Sequence, residues 1–217
     1  MNFNFLKPGS IIYRITEWIF RLIYVNLLWI LFSVLGLIIF GIMPSTTALY
    51  TIVLKWFQGK TNIEVFNTFK KEYKSKFIRS NIMGLIMLIA GSLLYINFVF
   101  YQQSSTSLFQ LFFYLTLILS LVYFTMWIYL FPLLVNYDLK IFSLLKNALL
   151  VPLFSPVNSA ILILVMTFSG ILFSFFIFLI PIFGFSSLAF INIWGTSRTF
   201  TAVEEKKAIY KNENKQQ

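Results

Sequence analysis

The stretch FGIMPSTTALYTIVLKW, residues 40–56, decides how this chain is arranged in a membrane. It is apolar enough for a bilayer, yet Pro44 is followed by three hydroxyl residues, and the run lasts only briefly before the next lysine. Pro44 suits the first turn of a new helix, and Ser45 or Thr46 can supply capping oxygens. We therefore predict that the chain turns back here through a short or re-entrant helix over residues 45–56.

The composition around this stretch is that of a membrane protein. The 217 residues are 59% hydrophobic and only 11% charged, whereas globular domains are about 25% charged. Three windows lack Lys, Arg, Asp and Glu altogether: Leu22–Leu54 with 33 residues, Ser80–Tyr137 with 58 and Asn147–Ser197 with 51. Because one bilayer span needs about 20 apolar residues, the second and third windows each hold two crossings. The fold class we predict is all-α: a polytopic helical membrane protein with five to six embedded helices arranged as hairpins and amphipathic interfacial helices on the cytoplasmic side.

The turns between the crossings are marked by prolines and short polar segments. Pro44, Pro132 and Pro181 are the predicted structural breaks, and QQSSTS at Gln102–Ser107 is a polar turn. A single transmembrane domain is predicted over 1–197, followed by a polar cytoplasmic tail over 198–217. The predicted embedded segments are about 22–42, 45–56, 81–101, 108–135, 157–180 and 181–195.

The placement of the charges predicts the orientation. The net charge is +10, and the basic residues lie in four clusters between the uncharged windows. Cytoplasmic loops are enriched in Lys and Arg, so the chain is expected to leave and return on the same side, with both termini in the cytoplasm and the protein multi-pass in the plasma membrane. In the alternative, residues 40–56 cross once and the seven basic residues from Lys55 to Arg79 lie outside.

The second basic cluster contains an amphipathic helix. In TNIEVFNTFKKEYKSKFIRSN, residues 61–81, four aromatic side chains form one helical stripe, and Thr61 and Glu64 have the spacing of a capping box. A basic helix with an aromatic face either lies in the interface against anionic headgroups or docks a membrane partner such as a transporter. No nucleic-acid module accompanies the basic charge. Further along the chain, Asp138 is a plausible N-cap of a later helix. The candidate partner or lipid contacts are Lys55, Lys70, Lys71, Lys74, Lys76 and Arg79.

Catalytic chemistry is not expected. The chain has no Cys and no His, and the predicted spans lack the ionisable residues that mark proton relays and ion paths. We therefore expect no enzymatic activity, no cofactor and no metal site. Asn26, Asn97 and Asn192 are candidates either for a polar pathway or for hydrogen bonds between helices, and Gly84 with Gly91 for close helix contact.

Three segments together resemble the YesL family of bacterial integral membrane proteins. They are NLLWILFSVLGLIIFGIMPSTTALYTIVLKW at Asn26–Trp56, FNTFKKEYKSKFIRSNIMGLI at Phe66–Ile86 and FPLLVNYDLKIFSLLKNALLV at Phe131–Val151. The residues that carry the resemblance are Asn26, Trp29, Gly36, Gly41, Pro44, Asn81, Gly84, Pro132, Asp138, Lys146 and Asn147, together with the basic stretch Phe69–Phe77.

The resemblance implies a small multispanning protein and supplies no catalytic residues. Members of that family are commonly encoded near carbohydrate uptake systems with solute-binding proteins. The function expected from it is therefore an accessory or regulatory partner of a membrane system such as carbohydrate uptake. The alternative is a small permease or channel for an uncharged solute such as a sugar.

Overall fold

The structure, a computed structural model, describes residues 11–102 and 106–213, with side chains for 13–102 and 106–202. Within these ranges all the regular secondary structure is helical. The helices are α1 (Ile11–Leu35), α2 (Ile42–Phe57), α3 (Val65–Ser75), α4 (Phe77–Gln102), α5 (Ser107–Asn136), α6 (Ile141–Phe154), α7 (Pro156–Phe175) and α8 (Phe185–Glu213). A 3₁₀ segment at Ile177–Leu179 and a π-helical segment at Ile180–Gly184 join α7 to α8.

Five helical stretches are long and apolar enough to cross a bilayer. They are Tyr13–Leu35, Phe77–Gln102, Ser107–Asn136, Pro156–Phe175 and Ile177–Ala202. Between 17% and 39% of the most apolar window of each is buried inside the protein, so most of the apolar side chains face outward. Exposed apolar surface on this scale suits lipid and not water. The predicted class, an all-α multi-pass membrane protein, is confirmed.

The chain reverses between α1 and α2 within residues 36–41. Leu37 and Ile38 adopt left-handed backbone conformations, with φ of 57° and 63°, and the N–H of Ile38 donates to the carbonyl of Ser33 at 2.8 Å. A Cβ atom at Gly41 would lie 2.2 Å from that same carbonyl oxygen. Only glycine allows so close an approach of two backbone segments.

The reversal therefore lies earlier than the sequence predicts. The first span ends at Leu35 and the return helix begins at Ile42. Pro44 therefore lies in the first turn of α2. An N–H at this position would have no partner within the helix, so the helix loses no hydrogen bond to the proline. The predicted capping by Ser45 or Thr46 is wrong, because the N-cap position carries no side-chain hydrogen bond and Thr46 Oγ1 donates back to the carbonyl of Ile42 at 2.7 Å.

Helix α2 is the central helix of the bundle. Eleven of its 16 residues are buried, and it packs against α1, α3, α4, α5 and α8. Its length of about 24 Å is short of a hydrocarbon core of about 30 Å. The helix runs back along α1, so that Trp56 meets Trp18 edge to face with ring centroids 6.0 Å apart. Near its start, Trp29 Nε1 donates to Thr46 Oγ1 at 2.9 Å.

Helix α3 turns its aromatic stripe toward the bundle. Phe69 is fully buried, and the ring of Phe32 in α1 lies 5.1 Å from the rings of both Phe69 and Tyr73. These aromatic contacts hold α3 against α1, and α3 also packs against α2. The opposite face of the helix carries the lysines.

Two helix starts differ from the predicted caps. Helix α3 begins after Glu64 without a side-chain cap bond, so the capping box with Thr61 is wrong, and the Glu64 carboxylate instead accepts a bond from Asn67 Nδ2 at 2.7 Å. Helix α6 begins after Lys140, and Asp138 does not cap it. Asp138 pairs instead with a basic side chain of α4.

Helices α4 and α5 form a hairpin whose distal half touches little else in the protein. The buried residues of α4 end at Met87. Gly84 lies against Met43, where a Cβ would come 2.5 Å from Cγ, and Gly91 lies against the hydroxyl of Tyr123. That hydroxyl donates to the carbonyl of Met87 at 2.8 Å. The close helix contacts expected at the two glycines are confirmed.

The later predicted breaks differ in kind. Pro132 does not end α5, which continues to Asn136, whereas Pro181 lies in the π-helical segment between α7 and α8. Helix α8 runs without interruption past residue 198, so the predicted border between span and tail is not a structural break. Residues 103–105 of the predicted polar turn, and 214–217 of the tail, lie outside the described residues.

Candidate functional site

Three of the six candidate contact residues form a basic ridge, which we define as Lys70, Lys71 and Lys74 on α3. All three are exposed, and no ion pair among the described residues engages them. The helix that carries the ridge is packed against the bundle through the buried Phe69 on its other face. Burial raises the pKa of Tyr73 on that inner face.

The other three basic candidates are less exposed than the ridge. Lys55 is half-buried in the last turn of α2, where a positive charge suits the helix dipole. Lys76 Nζ lies 3.1 Å from Glu72 Oε2. The six residues are therefore not one equivalent surface.

Arg79 fastens the start of α4 to the loop before α6. Its Nη1 atom lies 2.7 Å from Asp138 Oδ1, and Nη2 donates to the carbonyl of Leu139. The Asp138 side chain is 97% exposed, so the ion pair is weak and the bond to the backbone carbonyl is the stronger restraint.

Asn26 is fully buried and joins α1 to the segment that precedes α8. Its Nδ2 atom donates to the carbonyls of Ile180 at 3.3 Å and Pro181 at 2.7 Å. Its Oδ1 atom accepts from the N–H groups of Phe185 at 3.1 Å and Ser186 at 3.2 Å. These two N–H groups open α8 and have no partner within that helix. Asn26 thus caps α8 from another helix, and its hydrogen-bonding capacity is used completely.

Asn192 lies on α8 and is 1% exposed. Its Nδ2 atom donates to the hydroxyl of Tyr50 on α2 and to the carbonyl of Ile128 on α5, both at 2.9 Å. Its Oδ1 atom is buried and has no hydrogen-bond partner. A buried acceptor without a partner is uncommon and invites an explanation.

A cleft of about 580 Å³ is lined by Asn192 and Tyr50 together with residues of α1, α5 and α7. Most of the lining is aromatic or aliphatic, as in Trp29, Phe124, Trp127, Phe131, Met166 and Phe185. This volume falls in the range of about 300–1,000 Å³ that small-molecule sites occupy. Gly170 lines the α7 side, and a Cβ atom there would meet no atom within 4 Å.

The three asparagines do not come together. Asn26 is saturated by backbone groups and Asn192 lines the cleft, whereas Asn97 is exposed on the distal half of α4. Asn192 therefore lies at a cavity, Asn26 joins two parts of the bundle through hydrogen bonds, and Asn97 lies on an outward face.

A second buried polar cluster was not identified from the sequence. The hydroxyl of Tyr129 on α5 lies 2.8 Å from Ser159 Oγ on α7 and 3.0 Å from Thr199 Oγ1 on α8. Tyr129 looks like one more aromatic residue in an apolar run, so only its spatial neighbours distinguish it. Tyr50 is equally inconspicuous in the sequence, although the hydroxyl-rich start of α2 is a signal that this helix is buried within protein.

These features define a multi-pass helical membrane protein with a buried central helix and a cleft between its spans. Residues 22–98 match the family described as "Protein of unknown function, DUF624". The matched region contains the turn at 36–41, all of α2, the basic ridge and Asn26, but not Asn192.

The resemblance to the YesL family is confirmed by the relatives. The chain is 34% identical over 140 residues to the uncharacterised protein YesL of Bacillus subtilis strain 168, covering 64% of this chain and 65% of YesL. It is 43% identical over 127 residues to the uncharacterised protein YteU of the same organism, covering 58% and 57%. The uncharacterised protein YesV is 29% identical over 153 residues, covering 70% and 74%. The chain thus spans less than two thirds of the length of YteU and of YesL, and no solved structure matches it at a significant level.

Proposed function

We propose that this membrane protein is a non-enzymatic accessory or regulatory partner of another membrane protein, with a carbohydrate importer as the favoured partner. The observation that carries the proposal is the basic ridge on α3. Its three lysines project from a helix whose inner face is locked in the bundle, so a partner would meet a preformed positive surface. Preorganisation of this kind reduces the entropy lost on binding.

The chemistry of the ridge specifies its partner. Lysines that engage no internal carboxylate favour an acidic segment on a partner's cytoplasmic face, and anionic headgroups would occupy the same charges in its absence. The carbohydrate importer is supported only by the family resemblance. The alternative, a permease for an uncharged solute, gains nothing from Asn26, Asn97 and Asn192, because their positions do not form a path.

The proposed contact can be tested by charge reversal followed by crosslinking in native membranes. The ridge variant carries Lys70→Glu and Lys74→Glu, which lie one helical turn apart on α3. The matched control carries Lys140→Glu and Lys146→Glu, two exposed lysines at the start of α6 and within it. We expect one membrane partner to crosslink to the wild type and to the control and to be lost from the ridge variant. Recovery of the bare protein from all three, or the same partner from the ridge variant, contradicts the proposal.

The proposal also places both termini and the ridge in the cytoplasm of a cell whose plasma membrane holds the protein. An impermeant amine reagent added to intact cells should then leave Lys70, Lys71 and Lys74 unmodified, and permeabilised cells should show all three labelled. Labelling of the ridge in intact cells would reverse the orientation and remove the cytoplasmic partner.

A further inference from the structure

Two connections between helices contain no polar side chain. The turn between α1 and α2 reads GLIIFG at residues 36–41, and the connection between α7 and α8 reads FIFLIPIFG at residues 176–184. The connection between α4 and α5 is different, since it reads QQSSTS at Gln102–Ser107. Because loops that reach water are ordinarily polar, the first two connections suit an apolar surrounding.

The side chains of both connections point away from the protein. Leu37 and Ile39 are each 78% exposed, Ile177 is 72% exposed and Phe178 is 61% exposed. Consecutive exposed apolar side chains are unfavourable in water. The same side chains match the acyl chains of a bilayer.

The backbone of the α1–α2 turn needs little from a solvent. The N–H groups of residues 36–39 and 41 donate to carbonyls of residues 32–38. The carbonyl of Phe40 accepts from Nδ2 of Asn81, a residue of α4, at 3.0 Å. Water would satisfy such a carbonyl without help, whereas irregular backbone at membrane depth must find its partners within the protein.

Asn26 satisfies the backbone of the second connection in the same way. Its amide binds the carbonyls of Ile180 and Pro181 and the N–H groups of the first two residues of α8. Two asparagines on neighbouring helices therefore do at these connections what water does for an ordinary loop.

The nearest charged residues on α1 and α8 limit how far each connection lies from the interface. Arg21 lies 14 residues before the end of α1 at Leu35. Arg198 lies 13 residues after the start of α8 at Phe185. At 1.5 Å per residue these stretches measure about 21 Å and about 20 Å, whereas the hydrocarbon core is about 30 Å thick. With both charges held at the interface, neither stretch is long enough to carry its connection to the opposite surface.

We infer that the turn at 36–41 and the connection at 176–184 lie inside the hydrocarbon layer, in contact with lipid acyl chains. Helices α1 and α2 then form one re-entrant hairpin and helices α7 and α8 another, and each hairpin enters and leaves on one side of the membrane. The α4–α5 hairpin, which ends in polar residues, reaches the opposite surface. The inference depends neither on the basic ridge nor on which side holds the termini, so it goes beyond the proposed function.

The first test measures the reactivity of single thiols. The chain contains no cysteine, so Leu37→Cys and Phe178→Cys each place a sole thiol at one connection, and Thr106→Cys places a control thiol at the polar end of the α4–α5 hairpin. An impermeant maleimide added to permeabilised cells reaches both membrane surfaces. We expect the control to react and the other two thiols to react at least about 100-fold more slowly, as for a thiol whose pKa is raised by about two units in hydrocarbon. Denaturation in SDS should make all three thiols equally reactive.

The second test separates lipid from a partner protein that covers the connections in the cell. The purified full chain carries a nitroxide on the same cysteines in lipid nanodiscs, and collisions are measured with oxygen, which concentrates in hydrocarbon, and with a water-soluble nickel chelate. We expect the labels at 37 and 178 to collide mainly with oxygen and the label at 106 mainly with nickel. Ile39→Cys and Ile177→Cys replace either variant if it fails to fold. Fast maleimide reaction at either connection, or frequent collision of its label with nickel, overturns the inference.

Discussion

Replacing Asn26 with leucine removes the four hydrogen bonds that join α1 to the segment before α8. The shapes of the two side chains are similar, so the main loss is polar. Two carbonyls and the N–H groups of Phe185 and Ser186 lose their partner, and Ser186 is fully buried. The helix cap alone is worth about 0.5–2 kcal/mol, and side-chain hydrogen bonds between membrane helices average roughly 0.6 kcal/mol.

Two of the four bonds exceed 3.1 Å and are counted as weak. The expected loss is therefore about 2–3 kcal/mol, which for a protein of this size lowers Tm by roughly 5–10 °C. The assay is thermal unfolding in mild detergent, followed by tryptophan fluorescence.

Two controls define the result. Asn97→Leu removes an exposed asparagine from α4 and should leave Tm unchanged. Asn26→Asp keeps the acceptor for α8 but sets a carboxylate against the carbonyls of Ile180 and Pro181, so it should destabilise at least as much as leucine. If Asn26→Leu matched the Asn97 control, the reasoning about the interhelical cap would be refuted.

Three further tests address other contacts. Gly41→Ala places a Cβ against a carbonyl of α1 and should lower stability by about 1–3 kcal/mol or prevent folding. Gly170→Ala places a Cβ in open space and should stabilise the protein by up to about 1 kcal/mol. Thermal unfolding of the two variants measures both effects. Phe69→Ala empties a fully buried site and should cost about 3–5 kcal/mol, with faster proteolysis of α3 as the specific readout. Arg79→Leu should lower Tm more than Asp138→Asn, because only the former also frees a backbone carbonyl; equal effects would contradict the ranking.

The helical class and the five spans could be predicted because they depend on one-dimensional features of the chain. Uncharged windows and their lengths are properties of local sequence, and the bilayer imposes the same minimum length on each span. The turn after α1 was expected at Pro44 because proline is a visible signal. Its actual position depends on the approach of Gly41 to Ser33, a contact that becomes visible only in three dimensions.

The roles of the polar residues likewise could not be predicted from local sequence. Asn26, Asn97 and Asn192 look alike in sequence, yet one caps a distant helix, one faces outward and one lines a cleft. The partners of Asn26 and Asn192 lie on other helices, between 64 and 160 residues away, so no local pattern distinguishes them. The hydroxyl run in α2 was a usable signal of burial within protein, but it did not single out Tyr50.

The tie between Asn26 and the start of α8 has a consequence for how the protein is made. A ribosome releases the first helix into the membrane more than 150 residues before its partner exists. Until then the amide must find a temporary partner, in lipid headgroups, in the insertion machinery or in a membrane chaperone. Chains that stop short of α8 lack the native partners of this amide, so the burial of Asn26 depends on the last helix to be synthesised.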